Sequence, residues 1–331
     1  MKRFAGMLTA LLLGVVATPA SALDQYRIAA PQYVGVETAV LNSAIERKSF
    51  EKAGIDLEIK SVPSMELITQ RLDAGDFDAH VFATPIWQGN KSGLPCSMMI
   101  MPLAWSYHGA WVATVPEWKA LKGGTAIMSA VGTVTTTAAE KILAMHDLPP
   151  SAYDAKHLNG ALTLARMNAM LAVSGPAGTM VFDPHLAYAR RISGMHVLAD
   201  VGVLPVVGSG LAVKCSDKQD PKRWALDKRV VEVMMNEVKW MLDAKSSDVA
   251  LVPWMDAVLV KGKYEELFKK TYGDKLGPPT ESMGKAVVDG FRKVLKTTRP
   301  SKQEMDDSIS LVLGPVPKDV DTYYDFSLMP K

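Results

Sequence analysis

One arrangement of helix, glycine, strand and proline occurs twice in this chain, and it restricts the fold more than any other feature. In residues 64–89 and again in residues 162–189, an amphipathic helical pattern stops at a glycine, and a short apolar strand and a proline follow. Glycine tolerates the left-handed backbone that ends a helix, and proline suits the first turn of the next one. Because a helix that directly follows a strand points its N-terminal amides at the carboxyl edge of the sheet, the repeat predicts two α/β lobes that face a ligand. The alternative is two ordinary βα units within one large α/β domain.

The first 22 residues predict export. A basic start at residues 1–3 precedes an apolar stretch over residues 4–17, and the small residues Ala20 and Ala22 resemble a cleavage site. The apolar stretch is too short to span a bilayer, and no cysteine follows it for lipid attachment. We therefore expect residues 1–22 to be a signal peptide and the mature protein to be a soluble, exported monomer.

The charge balance gives no electrostatic reason to expect nucleic acid as a partner. Without Lys2 and Arg3, 35 basic side chains stand against 35 acidic ones. Cys96 and Cys215 both lie in the exported part, where an even pair is a disulfide candidate. Two separate buried thiols are the alternative.

Strand and helix patterns alternate along the sequence, and their order predicts that the chain leaves a first lobe, builds a second and returns to the first. Strand patterns occupy residues 26–30, 55–62, 78–82, 97–103, 124–128, 156–158, 179–182, 196–199 and 208–215. We assign residues 23–107 and 208–331 to lobe one and residues 108–207 to lobe two. Helical patterns at 224–244, 247–260 and 282–296 are expected to cap lobe one, followed by an irregular tail. Two crossing segments between the lobes predict a hinge.

Several segments, taken in order and spacing, resemble a known family. They are 72–79, 83–95, 118–123, 129–137 and 181–184. Over roughly residues 26–245 the chain resembles the periplasmic solute-binding proteins of the nitrate/sulfonate/taurine (NitT/TauT) class of ABC importers. It departs from them at Phe182, where the family usually has tryptophan, and in its last eighty-odd residues, which match loosely.

The resemblance implies an α/β, two-lobed periplasmic-binding-protein fold of type II, with two βα lobes joined by a two-segment hinge and C-terminal helices on lobe one. It also implies a periplasmic binding protein that closes on a small solute and delivers it to an ABC permease and its ATPase, with no cofactor. The alternative is a biosynthetic enzyme of the same fold, of the pyrimidine or menaquinone type. The chain lacks phosphate-loop, dinucleotide and nucleophile-elbow motifs, and its six histidines lack metal-ligand spacing, so we expect no enzyme and no metal site.

The resemblance places the ligand between the lobes, at loops that follow the strands. The candidate ligand-binding residues are Gln32, Tyr33, Ser64, Thr84, Trp105, Tyr107, His108, Ser129, Gly132, Thr133, Phe182 and Asp183.

The chemistry of these loops predicts the class of ligand. Residues 129–137 combine glycine and hydroxyl groups at a helix start, which suits an anion, with plain helix capping as the alternative. Trp105 and Tyr107 are placed to stack on a planar ligand. No arginine occurs between Arg71 and Arg166, and dicarboxylates and phosphates are usually bound by arginine forks. We therefore expect a monoanion, a zwitterion or a neutral heterocycle, such as a sulfonate, a nitrate-like anion, an aromatic carboxylate or a pyrimidine.

Overall fold

The structure, a computed structural model, describes residues 23–31, 35–62, 67–83, 86, 93, 95–159, 163–279 and 283–330. Within these residues ten strands form two five-stranded sheets. The first sheet contains β1 (Asp24–Pro31), β2 (Ile55–Val62), β3 (Ala79–Phe82), β4 (Ser97–Ala104) and β10 (Ser209–Lys214). The second contains β5 (Gly109–Ala113), β6 (Thr125–Met128), β7 (Asp154–His157), β8 (Ala177–Phe182) and β9 (His196–Ala199).

Six α-helices precede the last strand, β10, in the described part of the chain. They are α1 (Val36–Glu46), α2 (Ser49–Lys52), α3 (Ile68–Asp73), α4 (Val134–Met145), α5 (Thr163–Leu171) and α6 (His185–Ala189). The C-terminal helices are α7 (Pro221–Leu242), α8 (Ala244–Val260), α9 (Lys263–Tyr272), α10 (Met283–Val294) and α11 (Lys302–Leu313). Within the described part of the chain, none of the helices combines the length and apolar character that crossing a membrane requires.

The two sheets have the same strand arrangement. The first has the order β2-β1-β3-β10-β4 and the second the order β7-β6-β8-β5-β9. In each sheet the first three strands of this order are parallel to one another. The fourth strand, β10 in the first sheet and β5 in the second, is antiparallel to the third strand, β3 or β8. The repeated sequence pattern lies at equivalent places, since α3 and β3 match α5 and β8, with Gly75 and Gly175 at positive φ after the helices. The structure therefore confirms the prediction of two βα lobes, and the alternative of one large α/β domain is wrong.

Two backbone segments cross between the lobes side by side. The Tyr107 amide donates to the Leu204 carbonyl at 2.8 Å, and the Gly202 amide donates to the Tyr107 carbonyl at 2.9 Å. The Gly208 amide donates to the Ala104 carbonyl at 2.8 Å. The predicted two-segment hinge is thus a pair of irregular segments joined by backbone hydrogen bonds, and the boundaries at residues 107 and 208 remain predictions.

A disulfide joins Cys96 to Cys215, with 5.5 Å between the Cα atoms. It links the chain just before β4 to the chain just after β10, neighbouring strands of the first sheet. The structure therefore contains the bridge that the sequence left open, and it lies within the first lobe.

The C-terminal helices contact both lobes. Helix α7 packs on α1 and α2, so the predicted cap on lobe one is confirmed there. Helix α9 instead contacts lobe two, because the Arg191 guanidinium binds the Glu265 carboxylate at 2.7 and 2.9 Å. Helix α11 packs on α4 of lobe two.

The sequence-based prediction was wrong at three places in helical regions. The sequence pattern predicts a single helix over residues 35–53, ending at Gly54, but the structure divides it into α1 and α2, because Lys48 adopts a left-handed conformation with φ of 56°. Helix α9 was not predicted. The tail expected to be irregular contains α11, which begins with a capping box between Ser301 and Glu304.

Candidate ligand-binding site

Three aromatic rings meet where the first crossing segment enters lobe two. Tyr107 and His108 directly precede β5, and Phe182 ends β8 on the neighbouring strand. Ring centroids lie 5.7 Å apart for Tyr107 and Phe182, 5.1 Å for His108 and Phe182, and 5.6 Å for Tyr107 and His108. The structure thus brings three of the predicted site residues into one aromatic cluster. These distances are typical of favourable edge and offset ring contacts.

Glycine at position 109 makes room for this cluster. A Cβ at Gly109 would lie 2.7 Å from Tyr107 Cε1 and 3.1 Å from Phe182 Cε1. Because real Cβ atoms do not approach other atoms within 3.0 Å, a side chain here would displace the Tyr107 ring and press on the Phe182 ring. Burial raises the pKa of the Tyr107 phenol, so this hydroxyl stays protonated and can donate a hydrogen bond.

A buried arginine lies beside the aromatic cluster on the lobe-two side. Arg166 belongs to α5 and is 4% exposed. One of its terminal nitrogens donates to the Met180 carbonyl at 3.2 Å, and the guanidinium carbon lies 5.9 Å from the Phe182 ring centroid. Its charge also acts on Tyr107 and on His185. Arg166 therefore places a positive charge close to the predicted cleft.

A buried carboxylate lies on the lobe-one side of the cluster. Glu37 is in the first turn of α1 and is 3% exposed. Its Oε1 lies 3.5 Å from His108 Nε2. Glu37 and Arg166 thus flank the same rings from opposite lobes.

The loop predicted to bind an anion makes the contacts of a capped helix. Thr133 is the N-cap of α4, where its hydroxyl accepts from the Thr136 amide at 3.2 Å and donates to the Ala130 carbonyl at 2.9 Å. Gly132 precedes it at φ of 77°, and the Ser129 carbonyl lies 2.9 Å from His157 Nδ1. Capping therefore occupies the Thr133 hydroxyl, and a role for Ser129, Gly132 and Thr133 in anion binding stays a prediction.

Two predicted site residues contact the C-terminal helical region. The Trp105 amide donates to the Val294 carbonyl at 2.7 Å, and the Lys296 ammonium lies 4.9 Å from the Trp105 ring. Asp183 faces α10, since a Cβ at Gly290 would lie 3.2 Å from Asp183 Oδ2. Burial raises the pKa of Asp183 to about 7. These contacts are with α10 and the segment after it rather than with the three rings.

The remaining four candidates, Gln32, Tyr33, Ser64 and Thr84, lie outside the described residues. Among the residues that are described, no group of three or more His, Cys, Asp or Glu side chains is placed to hold a metal ion.

Glu37 and Arg166 were not among the predicted site residues. In the sequence analysis Arg166 appears only as the end of the arginine-free stretch that starts at Arg71, and Glu37 does not appear. Their importance depends on burial beside residues distant in sequence. The sequence signal that could have identified them is a single charged residue at a helix position that faces the core.

Comparison with known proteins identifies the fold. No family model and no characterised relative matches the sequence. Among solved structures, the periplasmic aliphatic sulphonate binding protein SsuA from Escherichia coli is 15% identical, with a TM-score of 0.59 over 91% of this chain and 97% of that one. The periplasmic nitrate-binding protein NrtA from Synechocystis PCC 6803 is 14% identical, with a TM-score of 0.57 over 92% and 87%.

A third match is a Candida albicans gene product described as having the generic periplasmic binding protein fold. It is 12% identical, with a TM-score of 0.55 over 93% of this chain and 98% of that one. At such identities the likeness concerns the fold, and the chain therefore has the two-lobed periplasmic-binding-protein fold that its sequence resemblance implies.

Proposed function

We propose that this chain is the solute-binding component of an ABC importer, exported by residues 1–22 to the periplasm as a monomer. It captures a small monoanionic or planar polar solute between its lobes and presents it to a permease and its ATPase. Sulfonates, nitrate-like anions, aromatic carboxylates and pyrimidines are the candidate classes. The fold, shared with sulfonate- and nitrate-binding proteins, supports the general role.

The observation that carries the ligand class is the aromatic cluster of Tyr107, His108 and Phe182 with Arg166 beside it. Aromatic faces suit a planar or apolar part of a solute, and a buried guanidinium suits its anionic group. A single arginine neutralises one negative charge. A monoanion therefore fits this part of the site better than a dicarboxylate or a phosphate ester.

Isothermal titration calorimetry with a panel of these classes tests the proposal. We expect a sulfonate, a monocarboxylate or a pyrimidine to bind, and dicarboxylates and phosphate esters to bind more weakly. For an anionic ligand, Arg166→Gln should weaken binding at least about tenfold, because hydrogen bonds to charged groups contribute roughly 1.5–3 kcal/mol. Arg166→Lys retains the charge and should weaken binding less.

Arg71→Gln is the matched control, because this arginine is 43% exposed on α3 and pairs with Asp76 at the surface. It should leave the affinity unchanged. Circular dichroism of each variant checks that it is folded. Binding restricted to dicarboxylates or phosphate esters would contradict the proposed ligand class.

A further inference from the structure

Glu37 differs from the other buried glutamates in the described part of the chain. Those are Glu237 and Glu265, and in each both carboxylate oxygens have hydrogen-bonding partners. Glu237 accepts from the hydroxyls of Ser43 and Ser49, and Glu265 accepts from both terminal nitrogens of Arg191. In Glu37 only Oε1 has a neighbour of this kind, His108 Nε2 at 3.5 Å, and Oε2 is buried without a hydrogen bond.

An unsatisfied buried carboxylate oxygen is costly, so its retention requires an explanation. Burying a charged group without partners costs more than burying a neutral polar group. The α1 dipole favours a negative charge in its first turn, but it does so for an exposed side chain as well. The dipole therefore explains the sign of the charge and leaves its burial unexplained.

The position of Glu37 indicates what the missing partner is. Helix α1 belongs to lobe one, His108 lies in the crossing segment, and the rings of Phe182 and Tyr107 belong to the lobe-two side. In the proposed function the lobes separate, a solute enters against these rings, and the lobes close. Closure would then bring Glu37 Oε2 to the solute. Because a carboxylate only accepts hydrogen bonds, the part of the solute that meets it must donate.

We propose that Glu37 binds a protonated nitrogen, so that the solute carries an ammonium or amidinium group at one end and its anionic group at the other. This inference rests on the proposed function and narrows it, from small monoanions and planar polar molecules to solutes with both charges. The anionic end lies toward Arg166 of lobe two, and the cationic end lies toward Glu37 of lobe one. The rings of Tyr107, His108 and Phe182 lie between these two charged groups and would contact the middle of the solute.

A bipolar solute also suits capture by closure. Each lobe then contributes one charged group of opposite sign, and only a molecule that bears both complementary groups contacts both lobes fully. A ligand shifts an equilibrium between open and closed states only through its different affinity for the two. Because Glu37 and Arg166 lie on different lobes, a bipolar solute would contact both of them only in the closed state, and its affinity for that state would therefore be higher.

Calorimetry with matched pairs of probes tests the inference. The first pair is 3-aminopropanesulfonate and propanesulfonate, and the second is 4-(aminomethyl)benzoate and 4-methylbenzoate. Within a pair the anionic group is the same and only one member carries an ammonium group. In the wild-type protein we expect the amino member of at least one pair to bind ten times more tightly or better than its partner.

Glu37→Gln keeps the size of the side chain and removes its charge. We expect it to abolish the preference for the amino member while changing the affinity for the other member less than threefold. Glu46→Gln is the matched control, because Glu46 is exposed at the opposite end of the same helix. It should keep the full preference.

Each other result overturns a defined statement. Binding without a preference for the amino member in either pair contradicts the inference and leaves the proposed function standing. A preference that survives in Glu37→Gln contradicts the assignment to Glu37. Failure of all four probes to bind the wild-type protein contradicts the inference as well as the sulfonate and aromatic carboxylate classes of the proposed function.

Discussion

At the scale of single residues, Asp183 is a carboxyl group in an unfavourable place for a charge. It is 5% exposed, and its Oδ1 has no hydrogen bond. Burial raises its pKa to about 7, while Arg190 and Lys293 oppose this increase and Asp200 adds to it. The folded protein therefore keeps a proton on Asp183 at pH values where the unfolded chain, with a pKa near 3.8, has released it.

The sign of the resulting pH dependence follows from linkage. Because the folded state holds more protons between about pH 4 and pH 7, the contribution of Asp183 to the free energy of unfolding falls as the pH rises through this window. Asp227 acts in the same direction, since burial raises its pKa to about 7 as well. His185 acts oppositely, because burial lowers its pKa to about 4.

We predict that Asp183→Asn removes this one contribution. The free energy of unfolding of the variant, relative to the wild type, should rise between pH 4 and pH 7.5 by a few kcal/mol, about 4 at most, because one pKa unit corresponds to 1.36 kcal/mol. Urea denaturation at several pH values measures the difference. Asp274→Asn, at an exposed position, is the control and should show no trend with pH. A flat difference for Asp183→Asn would mean that this carboxyl is ionised in the folded protein.

The predictability of the site also differs between residues. Tyr107, His108 and Phe182 could be predicted because each lies at a strand terminus, and strand ends in α/β sheets meet at a shared edge. Glu37 and Arg166 could not, because their relation to the rings depends on how the two lobes pack. The orientation of Trp105 and Asp183 toward α10 and its following segment depends on C-terminal helices that the family pattern describes only loosely.

At the scale of elements, α9 is attached to lobe two by a buried ion pair. The side chains of Arg191 and Glu265 are 3% and 6% exposed. The hydrogen bonds from Arg191 lower the pKa of Glu265, and Arg191 also donates to the Gly277 carbonyl at 2.8 Å. Around this pair, the Ser193 amide donates to the Lys275 carbonyl at 2.8 Å.

We predict that breaking this pair from either side is strongly destabilising. Glu265→Gln leaves a buried guanidinium without its counter-charge, and loss of one partner of a buried pair costs about 3–5 kcal/mol. The double variant Arg191→Met, Glu265→Met removes both charges and should cost less than the sum of the single variants. Guanidinium denaturation measures all of them.

Glu51→Gln is the control for this series. Glu51 pairs with Lys48 at the surface, where the two side chains are 57% and 69% exposed, so its loss should cost less than about 1 kcal/mol. A cost equally small for Glu265→Gln would show that the α9 pair contributes no more than a surface contact.

Most strands and several helices could be predicted from the sequence, because periodicity and turn residues act locally. The predicted strands 55–62 and 196–199 coincide with β2 and β9. Helices α9 and α11 had readable terminal signals in Gly273 and in the Ser301–Glu304 capping box. Their apolar faces, however, pack on lobe two, which is remote in sequence, and no local pattern indicates that contact.

At the scale of the whole molecule, the two equivalent sheets and the paired crossing segments define a hinge, but the C-terminal helices complicate it. Helix α7 lies on lobe one, whereas α9 is bonded to lobe two through Arg191 and Glu265. A rigid-body closure must therefore also bend the chain between α7 and α9. The sequence predicts three C-terminal helices on lobe one, and α9 is not among them.

We predict that α9 moves with lobe two instead, because its buried ion pair and backbone hydrogen bonds would have to break otherwise. Spin labels at introduced cysteines can measure this, using exposed positions Glu58 on β2, Lys141 on α4 and Lys270 on α9. The existing cysteines are joined in a disulfide and do not react.

When a solute that calorimetry has shown to bind is added, the 58–141 and 58–270 distances should change, and the 141–270 distance should stay constant. Labels that leave the binding affinity unchanged are the control for disturbance of the fold. A constant 58–270 distance with a changing 141–270 distance would assign α9 to lobe one, and constancy of all three distances would argue against closure as the means of capture.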